Sequence, residues 1–184
     1  MSGDYDSDGI SDLAVYRDGY WMIYSMAKGI FLVNASAGVL GGPDWTPVSG
    51  DYDGDGKSDL AVYRNGRWMI FSLAKGIFLV NANDGVLGGP DWTPVSGDYD
   101  GDGKSDLAAY HDGYWIIYSL ANGMIANGGG VGGPGWTTVP GDYDGDGRSD
   151  LAAYRDGDWL IYSLANGMIA NGGGVGGPGW TPAQ

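Results

Sequence analysis

Asp51-Tyr52-Asp53-Gly54-Asp55-Gly56-Lys57-Ser58-Asp59 runs straight into Leu60-Ala61-Val62-Tyr63, the dipeptide Asn65-Gly66 and then Trp68-Met69-Ile70-Phe71. Two short apolar, β-branched and aromatic runs joined by Asn-Gly are the signature of a tight β-hairpin. Ile77-Phe78-Leu79-Val80 supplies a third strand, and Trp92-Thr93-Pro94-Val95 a fourth that runs into the next Gly-Asp-Tyr. The runs do not alternate cleanly, which predicts strands buried on both faces. With 37 Gly and 8 Pro among 184 residues, long helices are disfavoured and the chain reads as all-β.

The unit recurs. Gly-Asp-Tyr-Asp begins at Gly3, Gly50, Gly97 and Gly141, at spacings of 47, 47 and 44 residues, which defines one repeat domain over 1–184 with units 3–49, 50–96, 97–140 and 141–184. Units 1 and 2 agree at 39 of 47 positions and units 3 and 4 at 37 of 44, so the chain is two near-duplicate pairs. The pairs differ by a three-residue contraction where Ile30-Phe31-Leu32-Val33-Asn34 becomes Met124-Ile125-Ala126-Asn127 followed by Gly128-Gly129-Gly130, and a length change there predicts a loop. Four strands per unit, stacked sheet on sheet, are what the blades of a β-propeller need.

All 23 acidic residues are Asp, and the formal charge is −14. That balance excludes nucleic acid, whose phosphates need clustered Lys and Arg, and points to cations. The chain has no Cys, so disulfides and thiolate metal sites are excluded. No run approaches the ~18 apolar residues of a membrane span, and the start Met1-Ser2-Gly3-Asp4 carries no signal segment. The abrupt start reads as that of a fragment, whether of a natural protein or of an engineered one.

The loop of unit 2 places acidic side chains at positions 1, 3, 5 and 9 and Gly at position 6. Hard Ca²⁺ takes six to eight oxygens, and carboxylates at alternating positions of a tightly turned loop converge on one ion. Position 7 would contribute a backbone carbonyl, which leaves its side chain free to vary. The expected ligands are Asp4, Asp6, Asp8, Ile10 and Asp12 in loop 1 and Asp51, Asp53, Asp55, Lys57 and Asp59 in loop 2. Loop 3 has Asp98, Asp100, Asp102, Lys104 and Asp106, and loop 4 has Asp142, Asp144, Asp146, Arg148 and Asp150. The competing reading is a solvated acidic turn, but two carboxylates about 4 Å apart repel by about 1 kcal/mol in water and about 4 at an effective dielectric of 20. Building that repulsion four times over calls for a divalent cation. The loops hold 16 of the 23 Asp, so removing their charge takes the net from −14 to +2. The pattern stops short of an EF-hand, because the bidentate Glu at position 12 is missing and a strand follows. Four Ca²⁺ per chain, one per repeat, are expected, with the affinity of extracellular modules.

Gly50 to Arg64, Gly-Asp-Tyr-Asp-Gly-Asp-Gly-Lys-Ser-Asp-Leu-Ala-Val-Tyr-Arg, resembles the FG-GAP or VCBS repeat, and the resemblance covers the chain four times. It implies β-propeller blades with calcium between two strands, as in the integrin α-subunit head, and a secreted or surface-displayed protein. Some related bacterial propellers are sugar-binding lectins. Family propellers close with more than four blades. The joining segment Trp-Thr-Pro-Val-Ser-Gly-Asp-Tyr is divided here into Trp180-Thr181-Pro182 and Ser2-Gly3-Asp4-Tyr5. The expectation is that these halves are rejoined by a head-to-tail dimer closing an eight-bladed ring, the alternative being a four-bladed monomer.

The remaining signals read as structural. The two Trp of each unit (Trp21 and Trp45, Trp68 and Trp92, Trp115 and Trp136, Trp159 and Trp180) are expected in the core, each burying about 150 to 250 Å². His111 replaces the Arg of Arg17, Arg64 and Arg155 and lacks the nucleophile and orienter that catalysis needs. The Arg residues themselves read as a solvated edge or packing partners for Trp. Ser25, Ser72, Ser119 and Ser163 have no elbow motif. Gly128 to Gly133 and Gly172 to Gly177 match G-x-G-x-x-G but precede Pro and Trp, not a helix. The reading is a non-enzymatic extracellular or cell-surface calcium-binding module for binding or adhesion, lectin-like, with carbohydrate or another surface protein as partner. The alternative is a structural scaffold or self-assembling repeat, part of a larger surface protein, a longer array or a filament.

Overall fold

The computed structural model describes residues 2–34, 40–81 and 87–182. Among them are sixteen strands and no helix, so no helix is long and apolar enough to cross a membrane. The first sheet is β1 (Ser2–Gly3), β2 (Asp12–Arg17), β3 (Tyr20–Ser25) and β4 (Ile30–Val33). The second is β5 (Thr46–Gly50), β6 (Asp59–Arg64), β7 (Arg67–Ser72) and β8 (Ile77–Val80). The third is β9 (Thr93–Val95), β10 (Leu107–His111), β11 (Tyr114–Ser119) and β12 (Gly123–Gly129), and the fourth β13 (Thr137–Thr138), β14 (Leu151–Arg155), β15 (Asp158–Ser163) and β16 (Gly167–Gly173). Each sheet is a four-stranded antiparallel meander in chain order, the architecture of a propeller blade.

The hairpin forms as its sequence requires. Asn65 and Gly66 take φ of 51° and 85°, and Asp18-Gly19, Asp112-Gly113 and Asp156-Gly157 repeat the pair of positive angles. Two central residues at positive φ make the type I′ turn, whose twist matches the strands it joins.

The fourth strand is present but pairs forward. β9 bonds to β10 of the following repeat, with Val95 opposite Ala108 and Thr93 opposite Tyr110, and β5 bonds to β6 in the same manner. Sheets and sequence units are therefore out of phase by one strand. A tyrosine holds each crossing segment in place. The Tyr110 hydroxyl donates to the Gly133 carbonyl at 2.9 Å and accepts from the Gly133 amide at 3.0 Å, and Tyr16 does the same with Gly42 at 2.8 and 3.0 Å.

Burial on both faces holds for β6, where Asp59 to Tyr63 are all buried, but not for the outer strand. Ile77 and Phe78 of β8 are about half exposed, because an edge strand has one neighbour and nothing to cover its outer side. The contraction also differs from expectation. Met124 to Gly129 lie in β12, which follows β11 along its length with one register shift between Ile117 and Tyr118, Tyr114 opposite Gly129, whereas β4 ends at Val33 opposite Ile23. Glycines without side chains stay in the ladder there; the matching residues 35–39 and 82–86 lie outside the described ones.

The backbone divides into two compact units, 1–90 and 91–184, each holding two sheets. In the first, Ala14, Trp21, Ile23 and Val33 of one sheet pack with Leu60 and Val62 of the other. In the second, Trp115, Ile117 and Val131 pack with Leu151 and Ala153. The leading Trp of units 1 to 3 is core, Trp21, Trp68 and Trp115 being at most 2% exposed, and Trp159 is half-buried. Trp45, Trp92 and Trp136 are half-buried as well, and Trp180 is exposed.

Candidate metal centre

Each Asp-rich loop joins the first strand of its sheet to the second, and its own carboxylates build it. In loop 2, Asp51 Oδ1 accepts from the Gly54 amide at 2.7 Å and Oδ2 from Gly56 at 2.8 Å, folding the loop back over its first residue. Asp4, Asp98 and Asp142 do the same in their loops. Gly54 and Gly56 sit at φ of 76° and 81°, which side chains resist. The position-7 amides of Ile10, Lys57, Lys104 and Arg148 donate to Asp8, Asp55, Asp102 and Asp146 at 2.9 Å, which seats the variable residue against the turn.

The position-9 carboxylates lie deepest. Asp12, Asp59, Asp106 and Asp150 are at most 1% exposed, and each accepts from the position-2 tyrosine amide through Oδ2 at 2.8 to 2.9 Å. Asp12 Oδ1 is buried with no hydrogen-bond partner. A buried carboxylate oxygen left without a donor is costly unless a cation meets it.

Each loop gathers three carboxylate oxygens within 4.8 Å of one another, among Asp4, Asp6 and Asp8; Asp51, Asp53 and Asp59; Asp98, Asp100 and Asp106; and Asp142, Asp144 and Asp146. Calcium ligands stand 2.3 to 2.6 Å from the ion, so oxygens around one ion fall within about 5 Å of each other. The residues present fit that ion. Asp12, Asp55, Asp102 and Asp150 are outside these groups of three.

Crowded carboxylates resist ionisation. Burial, and then the charges of Asp53, Asp51 and Asp55, push Asp59 up to about 7. Burial and the neighbouring Asp100 and Asp98 push Asp106 up to about 6. Burial also raises Asp150. Position 3 goes the other way: the Lys28 ammonium holds Asp6 low and the Asn166 amide holds Asp144 low. Burial would raise Asp53 and Asp100, but Ser72 with Lys75, and Asn122 with Ser119, bring both below the usual range.

Those partners arrive on the turn after the third strand of each sheet, and the Asp spacing gave no hint of them. Ser25, Ser72, Ser119 and Ser163 are buried, and each Oγ accepts an amide three residues on, from Lys28, Lys75, Asn122 and Asn166, at 3.1 to 3.2 Å. The serines thus tie the turn that reaches across to the loop. Their signal in the sequence is Ser-x-Ala-(Lys or Asn)-Gly at the same place in every repeat.

Outside the loops, the second unit carries an aromatic surface. The His111 ring stacks on Trp92 at 5.7 Å, Tyr114 meets Trp92 edge-on at 5.8 Å, and Arg155 lies 5.0 Å over Trp136. These contacts make the Arg and His position a packing partner of the second Trp. A cavity of about 410 Å³ in the same unit is lined by Trp115, Asn127, Val131, Leu151, Tyr162 and Met168.

A family model described as FG-GAP-like repeat matches residues 4–62 and again 51–109. Among solved structures, an Agrocybe aegerita lectin that recognises non-reducing terminal N-acetylglucosamine matches with a TM-score of 0.63 at 15% identity, over 92% of this chain and 50% of that one. The V. cholerae biofilm matrix protein Bap1 matches with a TM-score of 0.48 at 19% identity, over 91% of this chain and 29% of that one. This chain therefore spans half the lectin's length and under a third of Bap1's, and the lectin match speaks to fold alone. No curated protein matches by sequence.

Proposed function

The chain belongs to the FG-GAP-like repeat family, and from that premise we propose that it is a non-enzymatic, calcium-stiffened repeat module that presents a binding surface outside the cell. The observation that carries this is the recurrence, in all four loops, of three carboxylate oxygens close enough to share one ion, backed by a buried position-9 carboxylate. Positions 1, 3, 5 and 9 of each loop would supply side-chain oxygens, and Ile10, Lys57, Lys104 and Arg148 their backbone carbonyls. Millimolar calcium outside a cell suffices for sites of this kind. His111 is stacked on Trp92 and not set beside a nucleophile, in keeping with a binding role.

The partner we favour is a carbohydrate. Exposed aromatic rings such as Tyr114 and the half-buried Trp92 offer flat apolar faces with polar rims, and the cavity beside Asn127 and Tyr162 has the volume of a small-ligand site. Calorimetric calcium titration of chelator-stripped protein tests the first part: four ions per chain and a raised Tm are expected, and no binding at millimolar calcium refutes it. Glycan-array binding in calcium tests the second. Saturable binding lost in Trp92→Ala supports the carbohydrate reading, and no bound glycan refutes it.

A second reading, a self-stacking scaffold, rests on one comparison. Leu60 and Val62 are 6% and 0% exposed where the first sheet covers them, whereas their counterparts Leu13 and Val15 are 59% and 62% exposed. A sheet face built to be covered would take the last sheet of a second copy, giving the head-to-tail dimer. Light scattering in calcium decides: twice the mass of one chain supports it, and loss of that mass in Leu13→Glu locates it. A single-chain mass refutes it.

A further inference from the structure

The four loops share one backbone but not one neighbour at position 3. Lys28 Nζ lies 2.9 Å from Asp6 Oδ2, and Lys75 Nζ 3.1 Å from Asp53 Oδ2. In each pair the carboxylate is nearly buried, at 6% and 4% exposed, while the lysine is about half exposed, at 49% and 47%. In loops 3 and 4 the same turn delivers an amide. Asn122 Nδ2 donates to Asp100 Oδ2 at 2.8 Å, and Asn166 Nδ2 donates to Asp144 Oδ2 at 2.9 Å and Asp146 Oδ2 at 3.3 Å. The serine-tied turn is common to all four, so at this one position a monocation is exchanged for a neutral donor, while in loop 3 the Arg148 charge also bears on Asp100.

We propose that this turn residue sorts the loops into two classes of affinity for a divalent cation: Lys28 and Lys75 are tethered competitors in loops 1 and 2, and Asn122 and Asn166 are neutral supports in loops 3 and 4. The inference rests on the reading of the loops as calcium sites. It adds that the first two are the weaker. Two observations independent of the carboxylate clusters point to a cation. An ammonium group already sits on two of the clusters, and Asp12 leaves Oδ1 buried without a donor.

A carboxylate has about four lone-pair sites, so an amide that donates to one leaves the others, and the full negative charge, for a metal. An ammonium on the same oxygen neutralises that charge and must swing out before a divalent ion binds, or remain and repel it. Both lysines are half in water, so release is mild, and the gap is about five- to tenfold, not thousands. It narrows as salt screens the ammonium.

The test is calcium competition against a chelator of known affinity, using the full chain. Two ions per chain in a tight class and two in a class about five- to tenfold weaker are expected. The double variant Lys28→Asn with Lys75→Asn should raise the weak pair to meet the tight one, and Asn122→Lys with Asn166→Lys should lower the tight pair by a similar factor. Acetylation of Lys28 and Lys75 in the unaltered chain, read by mass spectrometry, should quicken several-fold when calcium is added, as the amines leave Asp6 and Asp53. Four ions in a single class, unmoved by either double variant, or lysine acetylation indifferent to calcium, overturns the proposal while leaving the calcium reading intact. No calcium bound at millimolar concentration overturns both.

Discussion

Asp59→Asn should change the sign of its effect on stability with calcium. Asp59 is 1% exposed, accepts the Tyr52 amide through Oδ2 at 2.8 Å, and has its carboxyl pushed from 3.8 up to about 7 by burial and by Asp53, Asp51 and Asp55. A raised carboxyl pKa means that the folded chain holds a proton the unfolded chain releases. The contribution of Asp59 to metal-free stability is therefore fully present below about pH 4 and is lost as pH rises through about 7. The shift corresponds to about 4 kcal/mol at 1.36 kcal/mol per pH unit, which solvent at the open side of the loop reduces to about 2. The Asn side chain keeps an acceptor for Tyr52 and carries no charge. At pH 8 without calcium the variant should therefore melt roughly 10 °C higher, for a unit of this size. With calcium the wild type gains RT ln(1 + [L]/Kd), about 4.1 kcal/mol at a thousandfold excess over Kd, and a loop lacking its deepest charged ligand gains far less. The two stabilities cross when calcium is about thirtyfold above Kd, and beyond that the variant is the weaker by up to about 2 kcal/mol. Differential scanning calorimetry across a calcium series at pH 8 and pH 4 measures this. A variant less stable than wild type without calcium, or two curves that stay parallel, would refute the electrostatic account of the loop.

The same protons should compete with calcium: because Asp59 must ionise, affinity at loop 2 should be about tenfold lower at pH 6 than at pH 8, seen by chelator competition at the two pH values. Asp106, at about 6, sets a window ending one unit lower, so Asp106→Asn should make the metal-free stability profile less steep between about pH 4 and 6, where Asp59 still contributes, and leave the slope from 6 to 7 unchanged. Tyr110→Phe removes a hydroxyl that both donates to and accepts from Gly133, and should cost about 1 to 3 kcal/mol in urea unfolding. Gly132→Ala should cost about 2 to 4 kcal/mol, since φ is +93° and the new Cβ would stand 2.6 Å from the Tyr110 hydroxyl and 3.0 Å from Ala153 Cβ. Gly135→Ala, at φ +77° in open space, should cost only the backbone part, about 1 to 2 kcal/mol.

The loops were legible because their chemistry is local: Asp at alternating positions with glycine at the turn needs no distant partner to be understood. Position 9 could be named as an acidic member of the loop, but its depth could not, since the burial of Asp59 comes from the sheet packed around it. Asn65-Gly66 announced a hairpin because positive φ at two successive residues is a backbone demand few residue types meet. The forward pairing of Thr93–Val95 was hidden, because apolar content marks a strand and says nothing of which neighbour it bonds. The stretch from Met124 to Gly130, expected as a loop, lies for the most part in the strand Gly123–Gly129 for a related reason. Its hydrogen bonds come from main-chain atoms that every residue carries, and pairing along β11 holds glycines that propensity would send elsewhere. Ser25 and Lys28 escaped notice as members of the site because they reach it from another turn, some twenty residues along the chain from Asp6.

The one-strand offset between sequence units and sheets decides where this chain can be cut. A knife placed at Gly97, where the motif begins, would sever Thr93–Val95 from the strand it bonds and leave a raw edge on β10, inviting aggregation. A cut between Pro90 and Asp91 takes each sheet whole, with its first strand still attached. Gene duplications and laboratory recombinants that shuffle these repeats should accordingly tolerate junctions in the Gly-Gly-Pro turn and fail at the acidic motif, although the latter is where the eye divides the sequence.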